Sequence, residues 1–342
     1  MKIYAHGNLF PLESGTTLPG LAIAYDTWGT LNDTGDNVVW ICHALTASSD
    51  AASWWPGLIG PGLLFDTDRY FIVCANIIGS CYGTTGPLST DPPSERPWFG
   101  RFPLVSIRDM TGAHRLLATY LGIRRLHLLT GGSMGGYQAL EWAVIDPAFV
   151  ASLLLIATSA RESAWGIAIH TAQRLAIEAD QSWGDESPGA AARGLKAARA
   201  IGMLTYRSYD AYAATQTDPD SGKLDGFRAS SYIHYQGDKL VSRFNAYSYH
   251  VLTRAMDTHN LARGRGRLQE VLRSITARTL VMGITSDLLC PLAEQALLAE
   301  QIPGARLVSF DSLYGHDGFL VETATITRHV DHWLSSPNKS QK

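Results

Sequence analysis

The sequence Gly-Gly-Ser-Met-Gly at positions 131–135 limits the fold of this chain more than any other feature. An apolar run at 126–130 leads directly into it, and a helical pattern follows from Met134. Glycine on each side of Ser133 removes side chains that would keep a strand and a helix apart at a sharp turn. We therefore predict a strand, a tight turn and a helix, with the Ser133 hydroxyl held free at the turn.

Short apolar runs alternate with helical patterns along much of the chain. Runs that are apolar throughout, rather than at every second residue, are typical of strands in a sheet covered on both faces. Six such runs lie at 38–42, 70–74, 126–129, 153–156, 279–282 and 306–310. Helical spacing occurs between them, for example at Ile107, Met110, Leu117 and Leu121. This order predicts an α/β protein with an open, mostly parallel sheet and helices on both faces.

The stretch 161–275 differs from the rest of the chain. It carries helical patterns, including an alanine-rich part at 188–199, and almost no strand-like runs. The strand pattern resumes at Thr279. We predict a core formed by residues 1–160 and 276–342, with 161–275 inserted as a helical lid between two parts of one sheet.

The composition argues against several classes of function. The 342 residues are 46% hydrophobic and carry a formal net charge of -3, so we expect a sizeable core and no nucleic-acid partner. Lys and Arg are scattered, apart from an Arg-Gly run at 263–267, which we interpret as a solvated lid loop rather than an RNA-binding segment. No apolar stretch approaches the roughly 20 residues that span a bilayer, and we recognise no signal peptide.

The four cysteines form no C-x-x-C pair; they are Cys42, Cys74, Cys81 and Cys290. In a chain of this length, such cysteines are typical of buried free thiols in a cytoplasmic protein, rather than of disulfides or a zinc site. We therefore expect a cytoplasmic protein without a bound metal.

Two later residues stand where partners of Ser133 are needed. A serine hydroxyl becomes nucleophilic with the help of a base, and the base needs a group that orients it. In the α/β-hydrolase fold, which carries G-x-S-x-G between a strand and a helix, an acid and then a histidine follow the serine. Asp287 ends the segment that begins with the run at 279–282, and His316 lies in a glycine-flanked loop after the next run. We predict a catalytic triad of Ser133, Asp287 and His316. The alternative, a phosphate-binding glycine loop, would require a Gly-Lys-Ser/Thr that is not present.

The negative charge that develops during acyl transfer needs two backbone N–H donors. In this fold one comes from the residue after the nucleophile, here Met134, and the other from the loop after an early strand. The loop after the run at 38–42 contains Leu45, which is our candidate for the second donor. For the neighbouring His43 side chain we expect a structural role in the loop.

Several further stretches resemble the homoserine O-acetyltransferase family, and the likeness covers nearly the whole chain. Most α/β hydrolases carry none of these stretches outside the nucleophile turn, so together they are specific. They are CHALT at 42–46, WWPGLIGPG at 54–62, DTDRYF at 66–71, CYGTTGP at 81–87, GGSMGG at 131–136, QALEW at 138–142, YQGDK at 235–239 and LTRAMD at 252–257.

The resemblance implies a ping-pong acyl transfer in methionine biosynthesis, with acetyl-CoA as co-substrate and no other cofactor. Ser133 would take the acetyl group, and His316 would then remove the hydroxyl proton of L-homoserine as it attacks. By the family pattern, Arg174 would hold the homoserine carboxylate and Asp317 its ammonium group. Without the resemblance these two residues would be interpreted as a surface arginine and a loop-capping aspartate. The family further implies a homodimer through the lid helices, and a secondary expectation is that an arginine of 263–267 meets a CoA phosphate.

The chain departs from the family pattern at Ala47, at Asp50 and in the lid segment 179–185. The donor and acceptor therefore stay open: succinyl-CoA is an alternative to acetyl-CoA, and L-serine to L-homoserine. A serine esterase with the same triad is a second alternative, in which water accepts the acyl group. A non-catalytic binding protein of this fold is a third, although such a protein would not need an intact triad.

Overall fold

The computed structural model describes residues 1–336 of the chain. Its strands are β1 (Lys2–Ala5), β2 (Phe10–Pro11), β3 (Thr17–Leu18), β4 (Ala22–Trp28), β5 (Val38–Cys42), β6 (Phe71–Ala75), β7 (Thr90–Asp91), β8 (Arg96–Pro97), β9 (Leu126–Gly132), β10 (Ser152–Ile156), β11 (Arg278–Ile284) and β12 (Arg306–Phe310). Eight of them form one sheet in the order β1-β4-β6-β5-β9-β10-β11-β12. Two short antiparallel pairs, β2–β3 and β7–β8, lie outside it.

The large sheet is mostly parallel. β5 pairs with β6 and β9, and parallel pairing continues through β10 and β11 to β12. The pairs β1–β4 and β4–β6 are antiparallel. All six apolar runs fall on the parallel strands, to within a residue, so the predicted sheet is confirmed. The runs did not reveal β1 and β4, because β1 is a largely exposed edge strand and β4 is only partly buried.

Helices cover both faces of the sheet, as predicted. They are α1 (Ala51–Trp54), α2 (Ile107–Tyr120), α3 (Met134–Ile145), α4 (Ala164–Glu178), α5 (Ala192–Tyr206), α6 (Tyr209–Gln216), α7 (Arg228–Val241), α8 (Ala246–Asp257), α9 (Leu268–Arg273), α10 (Leu292–Gln301), α11 (Gly318–Val321) and α12 (Thr323–Ser335). Val38 and Trp40 of β5 lie in one buried cluster with Leu117 of α2. Val39, which points to the opposite face, lies in a second cluster with Trp333 of α12.

The chain between β10 and β11 forms six helices, α4 to α9, and within the described residues it contributes no strand to the sheets. α4 packs against α5 and α8, and α5 also packs against α7. α5 further contacts the 3-10 turn Gly315–Asp317, which follows β12. One helix of this segment therefore reaches the loop that carries His316. None of the helices that the structure describes is long and apolar enough to cross a membrane.

Candidate active site

Ser133 occupies a strained turn between β9 and α3. Its φ of 55° lies in the left-handed region, which costs a non-glycine residue about 1–3 kcal/mol. The strain is held from both sides: the Ser133 N–H donates to the Ile156 carbonyl at 3.0 Å, and the Thr158 hydroxyl donates to the Ser133 carbonyl at 2.8 Å. A Cβ atom at Gly135 would overlap the Cys42 carbonyl. The structure thus has the predicted sharp turn, and the glycine is needed for close approach of the backbone.

The structure brings the three predicted triad residues together. Nε2 of His316 lies 2.9 Å from Oγ of Ser133, and Nδ1 of His316 lies 2.7 Å from Oδ2 of Asp287. The other carboxylate oxygen of Asp287 accepts hydrogen bonds from the N–H groups of Leu289 and Cys290, at 2.8 and 2.9 Å. The carboxylate is therefore fully oriented, and the imidazole is placed to accept the serine proton.

The Asp287 carboxylate raises the pKa of His316. Burial is the largest single influence and by itself lowers the pKa of the imidazole. The charge of Asp287 and its hydrogen bond act in the opposite direction, Asp317 and Glu162 add to them, and the pKa lies above its ordinary value of 6.5. His316 is thereby made a stronger base.

The two predicted oxyanion donors lie on different backbone segments, the loop after β5 and the start of α3, and the side chain of Gln138 links these segments. Leu45 lines the cavity next to Ser133, and Met134, as the first residue of α3, has an N–H with no acceptor inside its helix. Nε2 of Gln138 donates to the carbonyls of His43 and Met134, at 3.1 and 3.2 Å. The arrangement suits stabilisation of an oxyanion beside Ser133.

A cavity of about 530 Å³ opens in front of Ser133. Its floor is buried and includes Ser133 and His316, whereas its rim is exposed and includes Lys239 and Arg243. Apolar side chains form much of the wall, namely Leu45, Met256, Leu289, Phe319 and Leu320. Arg199 and Asp317 add one charge of each sign. The cavity therefore leads from solvent to the serine through a partly apolar wall.

Asp317 lies in the cavity as expected. Its Oδ2 is 3.0 Å from Nε of Arg207. Burial raises the pKa of Asp317, and the nearby cations Arg207 and Arg199 offset only part of that increase. This carboxylate is placed to meet a cationic group of a substrate next to His316.

The structure does not bring Arg174 to the cavity, which corrects the expectation that it contacts the acceptor. Nη2 of Arg174 lies 2.7 Å from Oδ2 of Asp257 on α8. The other carboxylate oxygen of Asp257 lies 2.8 Å from Nδ1 of His170. Because α4 packs against α8, the guanidinium is taken up by this ion pair rather than presented to a substrate.

Arg199 on α5, which sequence reasoning missed, lines the cavity instead. Its Nε is buried and makes no hydrogen bond within the described residues, and its guanidinium lies 5.2 Å from the centre of the Tyr206 ring. A signal was present: Leu195, Arg199 and Met203 are four residues apart, and the two apolar members are buried. An arginine that interrupts an apolar helix stripe is a candidate for function.

None of the three arginines of the Arg-Gly run lines the cavity, and two of them, Arg263 and Arg265, pair with carboxylates. Arg263 binds Glu13 through two nitrogens, at 2.9 and 2.7 Å, and Nη1 of Arg265 lies 2.7 Å from Glu141. The secondary expectation that one of them meets a CoA phosphate is therefore not supported by their positions. The interpretation of the run as a solvated loop is correct only in part, since Arg263 and Arg265 form ion pairs with Glu13 and Glu141.

The cysteines do not compete with Ser133 as nucleophiles. All four are free thiols, and burial raises the pKa of each of them, that of Cys81 to about 11. A thiol is nucleophilic only as its thiolate, so these groups are inert near neutral pH. Among the residues that the structure describes, no three His, Cys, Asp or Glu side chains are grouped to hold a metal.

Comparisons with known proteins show the family and the fold of this chain. Residues 37–323 match the family described as alpha/beta hydrolase fold. Homoserine O-acetyltransferase of Chlorobium luteolum is 46% identical over 339 residues, which cover 98% of this chain and 94% of that protein. The solved homoserine O-acetyltransferase of Bacillus anthracis has a TM-score of 0.91 at 25% identity, covering 99% of this chain and 98% of that one. Esterase E22 has a TM-score of 0.89 at 23% identity, covering 98% and 99%, which shows a shared fold only.

Proposed function

This chain belongs to the homoserine O-acetyltransferase family, and we propose that it transfers an acetyl group from acetyl-CoA to the hydroxyl of L-homoserine, a step of methionine biosynthesis. The observation that carries the proposal is the placement of Ser133, His316 and Asp287 on the floor of a cavity that also contains an unpaired arginine and a carboxylate. The triad can carry out acyl transfer. The opposite charges of Arg199 and Asp317 suit the carboxylate and the ammonium group of an amino-acid acceptor.

In the first half-reaction, Ser133 attacks the thioester carbon of acetyl-CoA while His316 takes the hydroxyl proton. The N–H groups of Leu45 and Met134 stabilise the oxyanion of the tetrahedral intermediate. The C–S bond then breaks, and His316 returns the proton to the departing sulfur. The products are acetylated Ser133 and free CoA.

In the second half-reaction, L-homoserine enters and His316 takes the proton of its side-chain hydroxyl. The alkoxide oxygen attacks the acetyl carbon, and the same two N–H groups stabilise the second oxyanion. The bond to Ser133 breaks, and His316 returns the proton to the serine. The steps use side chains and backbone of this chain and acetyl-CoA as co-substrate, with no other cofactor.

We assign acceptor recognition to Arg199 and Asp317. A guanidinium can hold a carboxylate with two parallel hydrogen bonds, and Arg199 lines the cavity with an unused buried donor. Asp317, next to His316 in sequence, can pair with the ammonium group and so direct the hydroxyl towards the acetyl carbon. Arg174 is not assigned to this role, because it does not line the cavity and its guanidinium pairs with Asp257.

We further propose that residues 161–275 act as the lid of a core formed by 1–160 and 276–342, and that two chains associate through it. Large apolar side chains of this segment are exposed, which is a feature of interaction surfaces; they include Leu204, Tyr209, Leu224 and Tyr235. The four free thiols suit a reducing cytoplasm. Light scattering on the purified protein should give the mass of two chains, and a single-chain mass would rule the dimer out.

The test of the function crosses two donors with two acceptors. Purified protein is given acetyl-CoA or succinyl-CoA together with L-homoserine or L-serine, and CoA release is followed with a thiol reagent. We expect the highest kcat/KM for acetyl-CoA with L-homoserine. If CoA release is the same with and without an amino acid, water is the acceptor and the protein is an esterase.

A further inference from the structure

The cavity has more positive charge than an amino-acid acceptor requires. Arg199 and Asp317 together match one carboxylate and one ammonium group, but the rim adds Lys239 and Arg243. Several other basic side chains of the helical segment pair with carboxylates, as Lys196 does with Asp238, Lys223 with Asp218 and Arg263 with Glu13. The rim cations have neutral partners within residues 1–336. They therefore keep an uncompensated charge at the entrance of the cavity.

Arg243 is held in a fixed position by those neutral partners. Its Nη1 lies 2.5 Å from the Thr46 carbonyl and 2.5 Å from the Tyr82 hydroxyl. Lys239 on α7 lies 6.0 Å from the centre of the Tyr235 ring. A guanidinium has five N–H donors, so these contacts leave donors free for an anion. The rim is thus prepared for a negatively charged group.

We propose that Lys239 and Arg243 bind phosphate groups of the acyl donor, an inference that rests on the proposed use of acetyl-CoA. This donor has its thioester at one end of a long uncharged arm and its phosphates at the other. When the thioester reaches Ser133 on the floor, the arm lies along the apolar wall and the phosphates lie at the rim. Guanidinium and ammonium groups are the usual protein partners of phosphate.

The test compares three acetyl donors that differ in phosphate content. They are acetyl-CoA, acetyl-dephospho-CoA and S-acetylpantetheine, which has no phosphate. Lys239→Gln and Arg243→Gln should each raise the KM for acetyl-CoA by about 3- to 10-fold, the scale of an exposed charge contact, and leave the KM for S-acetylpantetheine unchanged. Arg254→Gln, which removes an exposed arginine of α8 that does not line the cavity, is the matched control. The dephospho donor tells whether the 3′-phosphate or the diphosphate is bound.

The comparison between donors separates phosphate binding from damage to the site. Arg243→Gln also frees the Thr46 carbonyl beside Leu45, so a loss shared by all donors measures structural damage. Equal changes in KM for acetyl-CoA and S-acetylpantetheine would overturn the proposal. Titration of free CoA onto Ser133→Ala protein, with and without the rim substitutions, is a second readout. It reports on the phosphate site even if acetyl transfer to homoserine itself fails.

His43 is buried, and its ring joins two backbone segments. The backbone nitrogen of Ile77 lies 3.3 Å from Nε2 of His43 and donates its hydrogen to it. Because a backbone N–H can only donate, Nε2 is the unprotonated nitrogen and Nδ1 carries the proton. Nδ1 therefore donates to the Ala44 carbonyl, 2.9 Å away. Burial lowers the pKa of His43 to about 4, which keeps the ring in this neutral form.

The bond from His43 to Ala44 also fixes the direction of the Leu45 N–H. The Ala44 carbonyl and the Leu45 N–H belong to one planar trans peptide, in which the two groups point in opposite directions. We infer that His43 is a positioning residue that keeps the Leu45 N–H turned towards the oxyanion. Like the first inference, this one rests on the proposed acyl transfer.

Two substitutions test this role of His43. His43→Leu removes the hydrogen bond, and it should slow acylation and deacylation alike by about 10²-fold, the cost of one oxyanion donor, with both KM values nearly unchanged. His43→Asn can restore a donor near the position of Nδ1. Both half-reactions should therefore be at least tenfold faster in His43→Asn than in His43→Leu. His127→Leu, which replaces a partly buried histidine of β9 that stacks on Tyr70, is the control. Wild-type rates in a folded His43→Leu protein, or equal losses for Leu and Asn, would overturn the inference.

Discussion

The carboxyl edge of the sheet and the helical segment 161–275 contribute different groups to the site. The sheet edge holds the groups that make and break bonds, each fixed by buried hydrogen bonds: Ser133 after β9, Asp287 after β11 and His316 after β12. The helical segment contributes cations to the wall and rim of the cavity: Arg199, Lys239 and Arg243. Among residues 1–336, Asp317 belongs to both groups: it follows His316 at the sheet edge, and it lines the cavity with a charge that a substrate can meet.

This difference indicates that chemistry and selection are assigned to separate parts of the molecule. Both half-reactions use the same nucleophile, base and oxyanion donors, so changes at the sheet edge should slow both. Donor and acceptor differ in charge, so a change in the helical segment should affect one of them and spare the other. If substitutions in the two regions slowed the same half-reactions to the same extent, the regions would not have separate roles.

The largest effect is expected for Ser133→Ala. Without the nucleophile no acyl-enzyme can form, and turnover should fall by roughly 10⁴–10⁶-fold. The rate of CoA release with both substrates present is the measurement, and circular dichroism checks that the fold is unchanged. More than a tenth of the activity left would show that Ser133 is not the nucleophile.

Asp287→Asn should lower the acylation rate by about 10⁴-fold, because the imidazole loses the group that orients it. The pH dependence gives a second signature. His316 accepts a proton only when neutral, so in the wild type the rate should rise with pH through a pKa above 6.5. Loss of the Asp287 charge lowers that pKa, and the rising limb should move to lower pH. A limb that stays in place would contradict the assigned cause of the shift.

Arg199→Ala and Arg174→Ala form a matched pair on neighbouring helices. Arg199→Ala should slow transfer to homoserine by roughly 10²-fold, the scale of a charged hydrogen-bond contact, and leave acylation by acetyl-CoA within a few-fold. Arg174→Ala should leave both half-reactions nearly intact and lower stability, since it leaves Asp257 without its arginine. Single-turnover rates of the two half-reactions decide between them. The reverse outcome would return the acceptor role to Arg174.

The smallest effect is expected for Arg263→Gln. This arginine is partly exposed and binds Glu13 through two nitrogens, which places the pair at the upper end of the about 0–1 kcal/mol that such ion pairs contribute. The Tm should fall by less than about 2 °C, and the KM for acetyl-CoA should stay within about twofold. A large rise in that KM, measured with the donor series above, would place the phosphates at the Arg-Gly run after all.

The residues at the sheet edge can be predicted from the sequence, whereas the cavity-lining arginine of the helical segment cannot. Each triad residue follows a strand that its apolar run reveals, and parallel strands bring their carboxyl ends to one edge, so local signals suffice. Both arginines lie on the inward side of their helices, since each follows a buried residue by four positions, His170 for Arg174 and Leu195 for Arg199. The apolar neighbours Leu195 and Met203 mark Arg199 as unusual, but they do not show what it faces. Which of them faces the cavity depends on α4 packing against α8 and α5 against the turn of His316. Helix spacing within one segment does not contain that information.

The central claim is an acetyl group carried on Ser133 between two substrates, and mass spectrometry tests it most directly. The protein is mixed with acetyl-CoA alone, its intact mass is measured, and the modified peptide is mapped. L-homoserine is then added. We predict one equivalent of CoA released with one acetyl group on Ser133, followed by rapid loss of that group and formation of O-acetylhomoserine. If no adduct forms and CoA appears only when both substrates are present, the acetyl group passes directly between them and the account is wrong.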